Sequence, residues 1–312
     1  MNKNLILAAA ILIILTACGR GNKNKNTETQ NQRRVTFTMP EVPFMISSPQ
    51  ERAEYLSVHY WDNFDFTDTL YKNNPEVTEQ AFVDYINSLT YAQPSSAYTS
   101  MKETMAKAEA DTGIFSYFTR LANKYLYDPN SPMRNEELYI PVLEQMIASE
   151  NISELEKERP RHRLKMAMNN RVGQKAIDFN YTTSRGEKST LYKIEAPYLI
   201  LFINNPGCTA CKGYIEKMMN SWKMDSLFKG RIVKVLALYT DENIAEWVDY
   251  APQIPFSWIN AYNPDLKIRD GELYDLKAIP TLYLLDKDKK VLLKDTTVEA
   301  IENFFTVQEP VF

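Results

Sequence analysis

An all-α domain followed by an α/β domain is the architecture this sequence predicts, and three features predict it. Between Val42 and Met168 apolar residues recur at helical spacing, and the stretch holds a single glycine, Gly113. After Arg171 the pattern changes to short apolar runs that alternate with helical stretches, the order expected of a sheet covered by helices. Where one such run meets a helix, Cys208-Thr209-Ala210-Cys211 holds two of the chain's three cysteines.

The chain opens with a segment to be set apart from fold reasoning. Lys3 precedes the unbroken apolar run Leu5–Leu15, too short for a membrane span, which needs roughly 20 residues, but suited to an export signal. Leu15-Thr16-Ala17-Cys18 resembles a bacterial lipobox, which implies a signal peptide over 1–17, cleavage before Cys18 and lipidation of its sulfur. Gly19–Arg34 has no large apolar residue and is rich in Asn, Lys and Arg, so it cannot offset its ordering entropy by burial. Residues 18–38 are expected to form a flexible tether with a reach of roughly 20 Å. No acidic run follows Cys18, which favours the periplasmic side of the membrane over the cell surface.

The helical domain is expected over 39–169. Ser48, Pro49 and Glu51 read as an N-cap, a first-turn proline and a capping-box acid, with Ala53, Leu56, Tyr60 and Phe64 facing inward. Further helices are expected over Glu79–Leu89, Ala97–Ala110, Ile114–Leu126 and Glu136–Ala148. Ser153 and Glu156 form a second capping-box pattern opening a last helix, which Pro160 should kink or interrupt. Trp61, Phe64 and Phe66 suit a core, with a partner-binding surface as the alternative.

The α/β domain is expected over 170–312. Ala176–Tyr181 alternates, Ser184-Arg185-Gly186-Glu187 is turn chemistry, and Lys188–Ile194 follows as a second strand. Tyr198–Ile203 is apolar throughout, as a central parallel strand covered on both faces requires. A helix of about twenty residues should then run to Phe228. Strands are expected over Ile232–Tyr239, Phe256–Ile259, Thr281–Leu285 and Val291–Lys294, and helices over Asn243–Tyr250 and Val298–Phe305.

Composition narrows the chemistry. A formal net charge of −4 and a hydrophobic fraction of 44% describe ordinary globular cores with no reason to expect a nucleic-acid partner. With Cys18 lipidated, the mature chain keeps only the close pair Cys208 and Cys211. A two-residue gap closes almost no loop entropy, so the pair serves chemistry better than stability. A zinc site is disfavoured, because structural zinc takes four ligands and both histidines, His59 and His162, lie in the other half. No cofactor is expected. Two inert core thiols are the remaining alternative.

The strand–helix junction favours a reactive pair. Helix N–H groups and the positive end of the macrodipole stabilise a thiolate at Cys208, while Cys211, one turn later and more interior, is placed to resolve a mixed disulfide.

At these residues the sequence resembles the thioredoxin-like fold, in its membrane-tethered TlpA/ResA branch. The resemblance rests on Val172–Phe179, the strand Tyr198–Ile203, Cys208-Thr209-Ala210-Cys211 and Ala278-Ile279-Pro280-Thr281. It implies a thiol–disulfide oxidoreductase acting on protein thiols and disulfides, with a membrane electron donor if it works as a reductant. It also implies a cis proline at Pro280 opposite the sulfurs, with Ile279 and Pro280 docking the substrate chain. The sequence departs from the family in having Gly207 before the first cysteine. The positions where relatives hold a proton-shuttling acid carry Phe202 and Tyr214. The helical half resembles a domain of unknown role in Bacteroidales lipoproteins, through Glu51–Leu56 and His59–Phe66.

Two other functions fit part of the pattern. A thiol peroxidase of the peroxiredoxin type needs a hydroxyl three residues before its cysteine, where Asn205 stands before Cys208. In a partner-binding lipoprotein the α/β half would be only a scaffold or redox switch.

Overall fold

Proline and capping residues place most of the helices. The computed structural model describes residues 35–308, so the signal peptide, the lipidation site Cys18 and most of the expected tether lie outside the described residues. The helical half comprises α1 (Pro49–His59), α2 (Pro75–Leu89), α3 (Pro94–Ala108), α4 (Thr112–Ala122), α5 (Glu136–Ala148) and α6 (Glu154–Met168). Helices α1, α2 and α3 each begin with proline at the first helical position, where no N–H is needed and φ is already set. Consequently α2 and α3 start several residues before the positions expected from apolar spacing alone. Ser48 Oγ accepts the Glu51 N–H at 3.2 Å, and Asn135 Oδ1 accepts the Leu138 N–H at 3.2 Å.

At α6 both halves of the capping box form, with Ser153 Oγ accepting the Glu156 N–H and the Glu156 carboxylate accepting the Ser153 N–H. Replacing Ser153 by alanine is expected to lower stability by about 1 kcal/mol, measured as a shift in the urea midpoint at unchanged slope. The helix continues through Pro160 rather than ending there, and α5 likewise continues through Pro141. Both rings are buried, and α5 packs along α6, so burial on the packed faces offsets the lost backbone bond. Helix α4 ends earlier than expected, giving way to a wider π turn over Asn123–Tyr127.

The core of this half is aromatic. Trp61, Phe64 and Phe66 are buried, and the Trp61 ring lies 5.1 Å from Phe64 and 5.4 Å from Phe118. The cluster is therefore core and not a docking surface. Residues 35–38, expected as the end of the tether, join this core: Val35 is buried, and Phe37 lies 5.5 Å from Trp61. Apolar Val35 and Phe37 on alternate positions give the extended segment one face to bury.

The α/β half comprises β1 (Asn180–Thr183), β2 (Lys188–Thr190), β3 (Tyr198–Ile203), α7 (Thr209–Asn220), α8 (Trp222–Lys229), β4 (Val233–Tyr239), α9 (Ile244–Tyr250), β5 (Ile259–Tyr262), α10 (Lys267–Asp270), β6 (Thr281–Asp286), β7 (Val291–Leu293) and α11 (Val298–Gln308). The sheet order is β2-β1-β5-β4-β3-β6-β7. Strand β3 pairs in parallel with β4 and antiparallel with β6. Residues of β3 alternate between two apolar layers: Ile200 and Phe202 face Cys211, Met218 and Ile301, whereas Leu199, Leu201 and Ile203 face Phe179, Tyr274 and Tyr283. An unbroken apolar sequence is what such two-sided burial demands.

Three expectations for this half are corrected. The long helix to Phe228 is two helices, because Ser221 turns the chain to ψ 120° and caps α8 by accepting the Met224 N–H at 3.2 Å. The first strand begins only at Asn180, since the Ala176 N–H goes to Lys289 O at 2.8 Å instead of to a neighbouring strand. The fifth strand starts at Ile259, with Phe256 left 90% exposed in the loop before it.

Candidate active site

Strand β3 delivers the cysteine loop to one end of the sheet. After Ile203, Asn204 is buried, and its N–H continues the ladder to Leu238 O at 3.0 Å. Gly207 then turns the chain with φ +70°, a conformation that disfavours any side chain. This explains why glycine stands immediately before the first cysteine.

Cys208 is the N-cap of α7, and its Sγ accepts the Cys211 N–H at 3.0 Å. The two cysteines form a disulfide with their Cα atoms 5.2 Å apart. They are not equivalent: Cys208 is half-buried at the surface, while Cys211 has no exposed surface and packs among Met218, Ile200 and Phe202. An attacking group therefore reaches Cys208 and not Cys211. The free N–H groups at the start of α7 favour negative charge on the Cys208 sulfur once the bond is reduced.

Across from the disulfide lies the segment preceding β6. Its Ile279–Pro280 peptide bond is cis, and Ile279 O lies 3.8 Å from Cys208 Sγ. In the disulfide state that sulfur carries no proton, so this is a contact rather than a hydrogen bond. The turn is closed by Thr281 Oγ1 donating to Ala278 O at 2.6 Å. The structure thus brings Cys208, Cys211, Ile279 and Pro280 together, although the two pairs stand about seventy residues apart in sequence.

Around the sulfurs, Phe202 is fully buried and Tyr214 partly so. Lys212 and Glu216 pair at 3.9 Å on the exposed face of α7, as a solvated helix face would. The histidines are engaged elsewhere: His59 Nδ1 lies 2.8 Å from Asp62, and His162 Nε2 lies 2.8 Å from Glu272. A cavity of about 570 Å³ opens among Arg185, Met219, Phe256 and Trp258, but neither cysteine nor Pro280 lines it.

Sequence reasoning missed a charged cluster next to the Pro280 segment. Carboxylate oxygens of Glu136, Asp275 and Asp295 lie within 4.8 Å of one another. Lys277 Nζ reaches all three, at 3.6, 2.6 and 3.2 Å respectively. Lys294 Nζ pairs with Glu136 at 2.6 Å and accepts no solvent role, being 6% exposed. Lys294 also donates to the carbonyls of Met166, Ala167 and Asn169 at the end of α6, at 3.3, 3.0 and 2.7 Å. Burial opposes the charge on Lys277, but Asp295, Asp275 and Glu136 outweigh it and hold its pKa well above the ordinary lysine value. Burial likewise holds the Glu136 carboxyl above its ordinary value, only partly offset by Lys294 and Lys277. The one available signal was Asp275 and Lys277 flanking Leu276 just before Pro280; nothing local joins them to Glu136.

Residues 17–170 match a family model described as a domain of unknown function, DUF5106. A solved thioredoxin-like protein from Bacteroides caccae is 48% identical, with a TM-score of 0.84, over 88% of this chain and 100% of its own. The C-terminal domain of an uncharacterized protein from Bacteroides fragilis is 46% identical, with a TM-score of 0.43, over 44% of this chain and 98% of its own. A domain of a possible thiol-disulfide isomerase from Cytophaga hutchinsonii is 26% identical, with a TM-score of 0.39, over 44% of this chain and 92% of its own. No curated protein matches the sequence.

Proposed function

The chain belongs to the thioredoxin-like proteins, and from that premise we propose that it is a lipid-anchored, extracytoplasmic thiol–disulfide oxidoreductase acting on protein substrates. The observation that carries the reading is the asymmetric pair at the start of α7, with accessible Cys208 bonded to buried Cys211 and 3.8 Å from the carbonyl preceding Pro280.

In the reducing direction the Cys208 thiolate attacks a substrate disulfide. A Cys208–substrate S–S bond forms, the substrate bond breaks, and one substrate thiolate leaves. Cys211, deprotonated, then attacks Cys208 Sγ, closing the intramolecular disulfide and expelling the second substrate thiolate. Two electrons pass to the substrate, and the two thiolates take protons from water. The reverse sequence oxidises a dithiol. The half-buried segment before Pro280 supplies an edge on which an extended substrate segment docks. Support for the anchor is the Leu15–Cys18 sequence; among the described residues no helix is long and apolar enough to cross a membrane. A membrane protein that donates electrons completes the cycle if the flow is reductive.

The test is the equilibrium reduction potential of the Cys208–Cys211 pair, combined with turnover of insulin disulfides in the presence of dithiothreitol. A potential below about −250 mV marks a reductant, and one above roughly −180 mV an oxidant or isomerase. Cysteines that never cycle between dithiol and disulfide under these conditions sink the reading.

A further inference from the structure

The helical half grips the very segment that carries Pro280. Both halves belong to one compact unit beginning at Val35, and their contacts fall on residues 272–277 and on Lys294 and Asp295. Asn169 Nδ2 donates to Glu272 O at 2.9 Å, and Asn170 Nδ2 donates to Leu273 O at 2.7 Å. His162 and Lys165, on α6, hold the Glu272 carboxylate at 2.8 and 2.6 Å. Three residues before Pro280, the Lys277 ammonium is 13% exposed and meets the helical half twice, at Glu136 on the first turn of α5 and over the Tyr127 ring at 5.1 Å from its centroid. Two residues further on, Ile279 O touches Cys208 Sγ.

An ion held between three carboxylates and an aromatic ring cannot slide freely, because any shift lengthens several contacts at low dielectric. Lys277 therefore fixes its own backbone, and with only Ala278 between, it fixes the height of Ile279 and Pro280 over the sulfur. Its Asp275 and Asp295 partners come from the α/β half itself; Glu136 is the partner that the helical half adds. Small displacements of a docking edge weaken the fit of an extended chain while leaving the sulfur's own reactivity intact.

We propose that Lys277 is a positioning residue for disulfide exchange, and that the helical domain acts through Glu136 to hold the Ile279-Pro280 segment in register with Cys208 for protein substrates. This rests on the exchange reading given above. It assigns the helical domain a part in substrate docking through a contact that reaches neither sulfur.

The test uses the full chain and two disulfides of different size. Insulin needs the docking edge; 5,5′-dithiobis(2-nitrobenzoic acid) reacts with the reduced pair without it. Lys277→Met and Glu136→Gln are expected to raise KM for insulin about tenfold with kcat nearly unchanged. The rate with the small disulfide should stay within about twofold of wild type, and Lys277→Arg should recover most of the insulin KM. Glu136→Gln keeps its volume and lies on the far side of the contact, so it carries the test if Lys277→Met fails to fold. An unchanged insulin KM in Glu136→Gln overturns the proposal, and so does an equal loss on both disulfides, which marks general damage to the site. A wild-type chain that reacts with the small disulfide but leaves insulin oxidised overturns the protein-exchange reading itself, and the docking role with it.

Discussion

Cys208→Ser is expected to lower protein-disulfide exchange by at least about 10³-fold, because an alcohol at this position neither ionises near neutral pH nor forms the mixed disulfide. Insulin turnover with dithiothreitol reads the loss. The reciprocal change separates the two sulfurs. In Cys211→Ser the first attack at Cys208 still proceeds, so a covalent adduct with the substrate protein should accumulate and appear as a higher band on a non-reducing gel. If Cys211→Ser exchanges freely, or if the adduct forms through Cys211 in Cys208→Ser, the assignment of attacker and resolver is reversed. The burial difference argues against that outcome, since Cys211 has no exposed surface.

Trp61→Ala is expected to cost about 4 kcal/mol of folding stability, a large share of the roughly 5–15 kcal/mol that holds a domain folded. Its indole is 4% exposed and lies within 6 Å of the rings of Phe37, Phe64, Phe66, Tyr85 and Phe118. Truncation leaves a cavity that rings on all sides cannot collapse to fill. Chemical denaturation followed by far-ultraviolet circular dichroism measures the effect. A change below about 1 kcal/mol would mean that the side chain is not packed as described.

The sequence was most informative where one local force dominated. The run Tyr198–Ile203 has no polar residue, and β3 occupies those six positions. Glu136–Ala148 opens after a capping asparagine and coincides with α5. Where two local signals competed, the weaker-looking one sometimes won. Trp222 continues the apolar rhythm of α7, yet Ser221 both ends that helix and caps the next. Pro160 argues for a break, yet burial of its ring against neighbouring structure keeps α6 intact.

The candidate site divides along the same line. Cys208 and Cys211 are neighbours in the chain, so spacing alone showed them as a pair. The place of Ile279 and Pro280 came from family resemblance, because no local pattern tells which distant loop closes over a helix start. The cluster of Glu136, Asp275, Lys277, Lys294 and Asp295 was out of reach. Its members are contributed by a helix start and two loops, and each reads alone as an ordinary surface charge. Only tertiary packing turns them into a buried network.

The polar character of the seam between the halves bears on the order in which they are made. Each of the three apolar clusters lies wholly on one side of Asn169, and most described contacts across it are polar, running through Arg134, Glu136, Glu137, His162, Lys165, Asn169 and Asn170 and the carbonyls of Met166 and Ala167, with the Tyr127 ring against Lys277. The amino-terminal half emerges first from the ribosome. Most groups on its contact face are readily hydrated, so before the halves meet that face offers little sticky surface to other nascent chains. A joint made by trading hydration for paired charges exposes few apolar groups while it is still open.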